Sequence, residues 1–398
     1  MQLVNKDSIA IQFSCLAMAI ITLIPFGRGN LSGLEVAFPF SLLSLFFFLL
    51  TKKKKNGLSF YIILFISLWF VWVLLGLTYS YLYYPGSIDH MPSYLRYLRM
   101  LEMYVPGVLI LAFSRGITES QQKRVAYFFI ALFVLVTLEA CLGFFLQSEA
   151  LTATQMYKYP GMGYVFRAGG VAKDSSAYSN LVLLLGLTAF IELKKSGKNV
   201  LIFTGILFCF LINIYLSMSR SLIVAVFVYF VITLGMERKI KPVTLIFISA
   251  FIISIFIFGM NNEYLTSFWG RLSGANQEDI SSGRFTTWAL LLGLVGDNPL
   301  LGVGYRLSTE KYGLIPDNMF LSLSVETGVV GLFLYLSFLL SMCAFVYKNN
   351  KEKFPLIIAY IISGIFIDIS TFWVSVPLFL FTMSLYNRKS FISHNEGD

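Results

Sequence analysis

Long apolar runs separated by short polar stretches organise this chain. A helix rises 1.5 Å per residue, so about 20 apolar residues cross a ~30 Å hydrocarbon core. Twelve runs read as membrane spans: roughly 9–26, 34–51, 58–78, 94–113, 125–146, 177–193, 200–216, 220–236, 242–260, 323–347, 355–371 and 373–386. The last two are short and separated by only a few residues. The first, Ile9 to Phe26, lacks a small-residue cleavage pattern and reads as a membrane helix rather than a cleaved signal.

Composition agrees with the pattern. Of the 398 residues, 57% are hydrophobic and 13% are charged. Soluble domains carry about 25% charged residues, so most of this surface faces lipid. The expectation is an all-α, polytopic membrane protein with a single transmembrane domain over residues 1–398. Cys15, Cys141, Cys209 and Cys343 each lie inside an apolar run without paired spacing, which points to packing rather than disulfides or metal. His90 and His394 are the only histidines, too few for a His-rich metal site.

Charge sets the topology. With the N-terminus inside, 19 of the 30 Lys and Arg fall in alternate, inward-facing segments, as the positive-inside rule requires. Both termini are then cytoplasmic. The other eleven lie outside, and eight of them are Arg: Arg28, Arg96, Arg99, Arg167, Arg220, Arg271, Arg284 and Arg306. Topology is served equally by Lys, whereas bidentate grip on phosphate oxygens favours Arg. The outer face therefore reads as anion-binding, with pairing to Glu102, Asp174 or Glu263 as the alternative for individual arginines.

Three outer segments are long: 79–93, 147–176 and 261–322. The last contains "GRFTTWALLLGLVGDNP", an amphipathic run too short to span, expected as a helix along the membrane surface. Arg284 opens this run, where free backbone N–H groups add to its charge as an anion cradle. Trp288, one turn later, suits an interfacial anchor or a sugar-stacking platform. Pro299, Gly302 and Gly304 then turn the chain to present Arg306. Arg96, Arg99 and Glu102 share one helix face at spacing i, i+3; they form either a cationic cavity wall or an internal ion pair. Arg220 sits at a tight outer turn, facing a phosphate or snorkelling to the interface. Asp317 and Asn318 precede an apolar helix, as an N-cap or, for Asp317, as a general base. Glu326, nine residues on, falls on the opposite face of a straight helix and is no acid–base partner for Asp317. Outer tyrosines such as Tyr79, Tyr81 and Tyr83 read as an interface belt.

"SMSRSLIVA", "SSGRFTTWALLLGLVGDNPLLGVGYR" and "DNMFLSLSVETGVVGLFLYL", in this order, resemble the O-antigen polymerase and O-antigen ligase superfamily. The resemblance covers roughly residues 160–345. It implies a C-type glycosyltransferase fold in the bacterial inner membrane, with the large 261–322 loop and the active site on the periplasmic side. It implies a glycan donor carried on undecaprenyl diphosphate, with no nucleotide sugar, metal or other cofactor. The diphosphate-holding arginines of the family map onto Arg220 and Arg284, and less securely onto Arg167. Arg306, Arg96, Arg99, Asn318 and Trp288 are further candidates for binding substrate. Ligases typically carry His just before Asn318, as base for the acceptor hydroxyl; this chain has Asp317 there, which favours a polymerase. A chain-length regulator protein is a possible partner. The alternatives are an O-antigen ligase acting on lipid A-core and, in a different class, a lipid-linked oligosaccharide flippase. The long outer segment speaks against the flippase.

Overall fold

A computed structural model describes residues 6–24, 33–50, 57–83, 91–113, 117–146, 154–159, 163–172, 174–196, 200–217, 219–236 and 284–386. The expected span 242–260 lies outside them. The described chain is mostly helical. Eight helices fill its first part: α1 (Lys6–Leu23), α2 (Gly33–Leu49), α3 (Gly57–Tyr83), α4 (Met91–Phe113), α5 (Glu119–Leu146), α6 (Ser175–Ser196), α7 (Val200–Ser217) and α8 (Arg220–Met236). Five follow: α9 (Arg284–Asp297), α10 (Leu307–Tyr312), α11 (Met319–Asn349), α12 (Phe354–Ser363) and α13 (Ser375–Ser384). Between α5 and α6 an antiparallel hairpin pairs β1 (Thr154–Tyr159) with β2 (Gly163–Ala168), an addition to the all-helical expectation.

Among the described residues, four helices are long and apolar enough to cross a membrane: α3, α5, α6 and α11. Their surroundings differ. The apolar stretch of α6 is 94% buried inside the protein, against 39% for each of the other three. α6 is thus the central post, and α5, α7, α8, α12 and α13 pack around it. α3 lies along α11, α1 along α2, and α4 against α2 and α13.

The expected span 355–371 is not one helix. α12 ends at Ser363, and the chain runs through a turn and a short 3-10 segment, Ile369–Thr371, before α13 begins. Each of these helices has 10 residues, about 15 Å of rise, half a hydrocarbon core. Asp368 explains the break: its carboxylate accepts from the Ser370 amide (3.2 Å) and the Ser370 hydroxyl (2.5 Å), which holds a turn in place of a helix.

One end of the bundle is tied by a buried charge network. Lys353 Nζ meets Glu192 Oε1 at 2.8 Å, and Gln122 Nε2 donates to Glu192 Oε2 at 3.0 Å. Lys353 also donates to the Thr382 and Leu385 carbonyls, both at 2.8 Å. Neither charge is exposed, and the ammonium donates to two carbonyls beside the ion pair, which helps a buried pair offset its desolvation. The opposite end, where α6 and α11 begin, holds most of the arginines and carboxylates described next.

Candidate functional site

The site is built on a broken helix. α11 carries a non-helical residue at Gly328 (φ 69°, ψ −179°), a conformation reserved almost entirely for glycine. A break strands backbone carbonyls inside apolar surroundings, and each needs a donor. The loop 298–306 and α3 supply them. Val303 N donates to Val325 O (2.8 Å), Gly304 N to Glu326 O (3.2 Å), and Trp72 Nε1 to Thr327 O (3.0 Å). On the far side, Val329 N donates back to Pro299 O at 2.8 Å. The loop needs glycine for this approach: a Cβ on Gly302 would sit 2.5 Å from Val325 O.

The clamped loop delivers Arg306 in the left-handed region (φ 62°), the one non-glycine residue with positive φ among those described. Such strain persists only where surrounding contacts over-determine it. Arg306 Nη1 lies 3.8 Å from Asp368 Oδ2, which also accepts from Ser322 Oγ (2.9 Å) and Thr371 Oγ1 (3.2 Å). Glu326 is buried beneath the same loop and accepts from Ser308 Oγ at 2.7 Å. Glu326 therefore anchors α10 and the Arg306 turn.

Asp317 and Asn318 divide two tasks. Asn318 is the N-cap: its side-chain oxygen accepts from Phe320 N (2.9 Å) and Leu321 N (3.0 Å). That leaves Asp317 out of the cap, and its Oδ2 meets Arg284 Nε at 3.2 Å. Burial raises the Asp317 pKa above the ordinary carboxylate range, the Arg284 guanidinium pulls it back, and Asp174 and Asp368 add repulsion that raises it further. Asp174 caps α6 through Ser176 N and Ala177 N, both 2.8 Å from its Oδ1. The starts of α6, α9 and α11 and the Asp368 turn thus converge on one polar mouth.

The other sequence candidates lie on several elements. Arg167, at the end of β2, donates from Nε to Ser217 O at 2.9 Å, at the close of α7. Arg220 opens α8 just beyond; its side chain lies outside the described residues. Trp288 stands edge-on to Phe285 at 5.8 Å, with its Nε1 buried and without a hydrogen-bond partner among the described residues. Arg96 pairs with Glu310 of α10, and Arg99 with Glu35 of α2 at 3.1 Å. Of the partners anticipated for outer arginines, Glu102 stands within the electrostatic reach of Arg99 and Glu263 lies outside the described residues, while the described ion pairs are made with Glu310, Glu35, Asp317 and Asp368. Asp368 itself went unrecognised in the sequence. A carboxylate inside the apolar run 355–386 was the signal that marked it.

No curated protein matches the chain. A family model described as O-Antigen ligase matches residues 205–336, about a third of the chain. The matched stretch contains Arg220, Arg284, Arg306, Asp317, Glu326 and the Gly328 break, so over this third the chain is similar to the O-antigen ligase family.

Proposed function

We propose that the protein is a polysaccharide polymerase that moves a growing glycan from undecaprenyl diphosphate onto a new lipid-linked repeat unit. The observation that carries this reading is the Arg284–Asp317 pair at the start of α11. A leaving-group ligand and a proton acceptor stand in contact there, and Asp317 occupies the slot where the resemblance places His in ligases.

The chemistry follows from the two charges. The acceptor hydroxyl oxygen attacks the anomeric carbon, and the bond from that carbon to the diphosphate oxygen breaks, with inversion. The hydroxyl proton goes to Asp317, and the bonding pair leaves with the lipid diphosphate. Arg284, with Arg220 as second cation, offsets the negative charge that develops on the leaving group. Donor binding also primes the base. A diphosphate drawing Arg284 toward itself weakens the contact that lowers the Asp317 pKa, so the carboxylate becomes a stronger proton acceptor as substrate arrives. Trp288 offers a stacking face for a sugar ring, and Arg306 and Arg167 are further candidates for holding substrate.

The full proposal places twelve crossings in a C-type glycosyltransferase-like fold in the bacterial inner membrane. Both termini are cytoplasmic, the site opens to the periplasm, and a chain-length regulator is the expected protein partner. Arg284→Ala and Arg220→Ala should each abolish long chains at unchanged expression; wild-type-length polysaccharide from either variant on a gel sinks the assignment. The family description keeps one second reading, a ligase. A deletion strain separates the two: single-repeat lipopolysaccharide marks a polymerase, and complete loss of attached antigen marks a ligase.

A further inference from the structure

A groove of about 380 Å³ opens on the flank of the bundle between the start of α2 and the first turns of α4. Glu35, Leu95, Arg96, Leu98, Arg99 and Glu102 line it. Its apolar wall is open to the surroundings, with Leu95 55% and Leu98 54% exposed. Its polar wall carries two guanidiniums at spacing i, i+3, which places them side by side on one helix face. Both remain accessible, 40% for the Arg96 side chain and 47% for Arg99, although each touches a carboxylate. Hydrated pairs of this kind hold weakly. A phosphate that offers two oxygens to two adjacent guanidiniums gains bidentate, charge-assisted bonds and outcompetes them. Two adjacent guanidiniums beside an apolar wall, with Glu35 and Glu102 on the same rim, suit an amphiphile with a phosphate head and a hydrocarbon tail.

The groove is coupled to the Arg306 cluster by one turn of helix. Arg96 holds Glu310, and Glu310 N donates to Arg306 O at 3.2 Å. At 1.5 Å rise per residue the two anchor points lie about 6 Å apart along α10. Charge sites on both sides of one short helix allow two lipid phosphates to be held next to each other.

We infer that the α2–α4 groove is a second lipid-diphosphate site that holds the acceptor lipid, while the Arg284–Asp317 mouth holds the donor. This rests on the polymerase reading, in which both substrates are lipid-linked. The acceptor glycan then reaches past α10 to present its hydroxyl to Asp317. Arg99 grips the diphosphate, and Arg96 exchanges Glu310 for a phosphate oxygen.

The test uses the purified full chain in detergent, with undecaprenyl diphosphate as probe and native mass spectrometry as readout. Wild type should retain two lipids and Arg99→Ala one. Leu95→Trp fills the groove from its exposed wall without changing charge, and should also retain one if Arg99→Ala does not fold. In extension assays Arg99→Ala should raise the KM for a lipid-diphosphate-linked acceptor about tenfold or more. The KM for the same repeat without diphosphate should stay unchanged. One lipid on wild type, or two on both variants, overturns the inference. Equal displacement of the second lipid by phosphatidylglycerol overturns the acceptor assignment and marks a general phospholipid site. If wild type extends nothing, yet the second lipid is still lost in Arg99→Ala, the groove stands and the polymerase reading falls.

Discussion

Gly328→Ala tests the architecture that delivers Arg306. Two costs add. At φ 69° and ψ −179° an alanine occupies a region open almost only to glycine, a strain of about 1–3 kcal/mol. Its Cβ would also lie 2.0 Å from Leu300 O and 2.8 Å from Leu301 N, so the loop must withdraw. Withdrawal breaks the bonds Val303 N to Val325 O, Gly304 N to Glu326 O and Val329 N to Pro299 O. At roughly 1 kcal/mol each, these add about 3 kcal/mol. The total is about 4–6 kcal/mol, much of a domain's net stability. Relief through a straightened helix would move Arg306 away from Asp368, so activity falls even where the bundle survives. The assay is thermal unfolding of detergent-purified protein beside extension of lipid-linked repeats. A Gly328→Ala variant with wild-type melting and wild-type chain length would refute the clamped-loop account.

Further consequences can be measured in the same system. Extension should fall on acidification with a midpoint above the ordinary carboxylate range, because Asp317 must be ionised to accept the proton and burial raises its pKa. Arg284→Gln removes the opposing cation and should shift that midpoint still higher in pH–rate profiles of residual activity; a downward shift contradicts the electrostatics. Asp368→Ala removes one of the counter-charges facing Arg306, leaving Glu326 and Glu310, and leaves the Ser322, Ser370 and Thr371 hydroxyls short of an acceptor, a loss of about 2–4 kcal/mol by melting. Lys353→Met leaves buried Glu192 with only Gln122 and the more distant Lys195 (3.8 Å) and should cost about 3–5 kcal/mol, much of it recovered in a Lys353→Met/Glu192→Leu double variant.

What the sequence made legible follows the range of each interaction. Apolar runs are local, so α3, α5, α6 and α11 are readable from hydropathy alone. The amphipathic run beginning at Arg284 is likewise a helix, and its single buried residue, Leu291, fits a surface location. The break at Gly328 is half legible. "ETG" marks a glycine, but the donors that make a break tolerable come from Trp72 and from residues 303–304. Asp317 and Asn318 look alike as caps until a contact from Arg284 separates them. Partners of Arg96 and Arg99 lie in remote helices, invisible to spacing rules that compare residues three or four apart. The 355–386 run reads as two spans because composition registers hydrophobicity and misses the Asp368 turn that divides it. The β-hairpin was hidden by the same bias toward apolar runs, since Thr154–Tyr159 and Gly163–Ala168 are short and mixed in polarity.

The most direct measurement is extension of a defined undecaprenyl-diphosphate repeat by purified protein, comparing wild type with Asp317→Asn and Asp317→His. A general base typically contributes about 10²–10⁴ in rate. Wild type should therefore build long chains, Asp317→Asn should lose activity by that order, and Asp317→His should restore part of it, because imidazole can take up the same proton. Wild-type rates from Asp317→Asn would contradict the central claim that Asp317, held against Arg284, accepts the acceptor's proton.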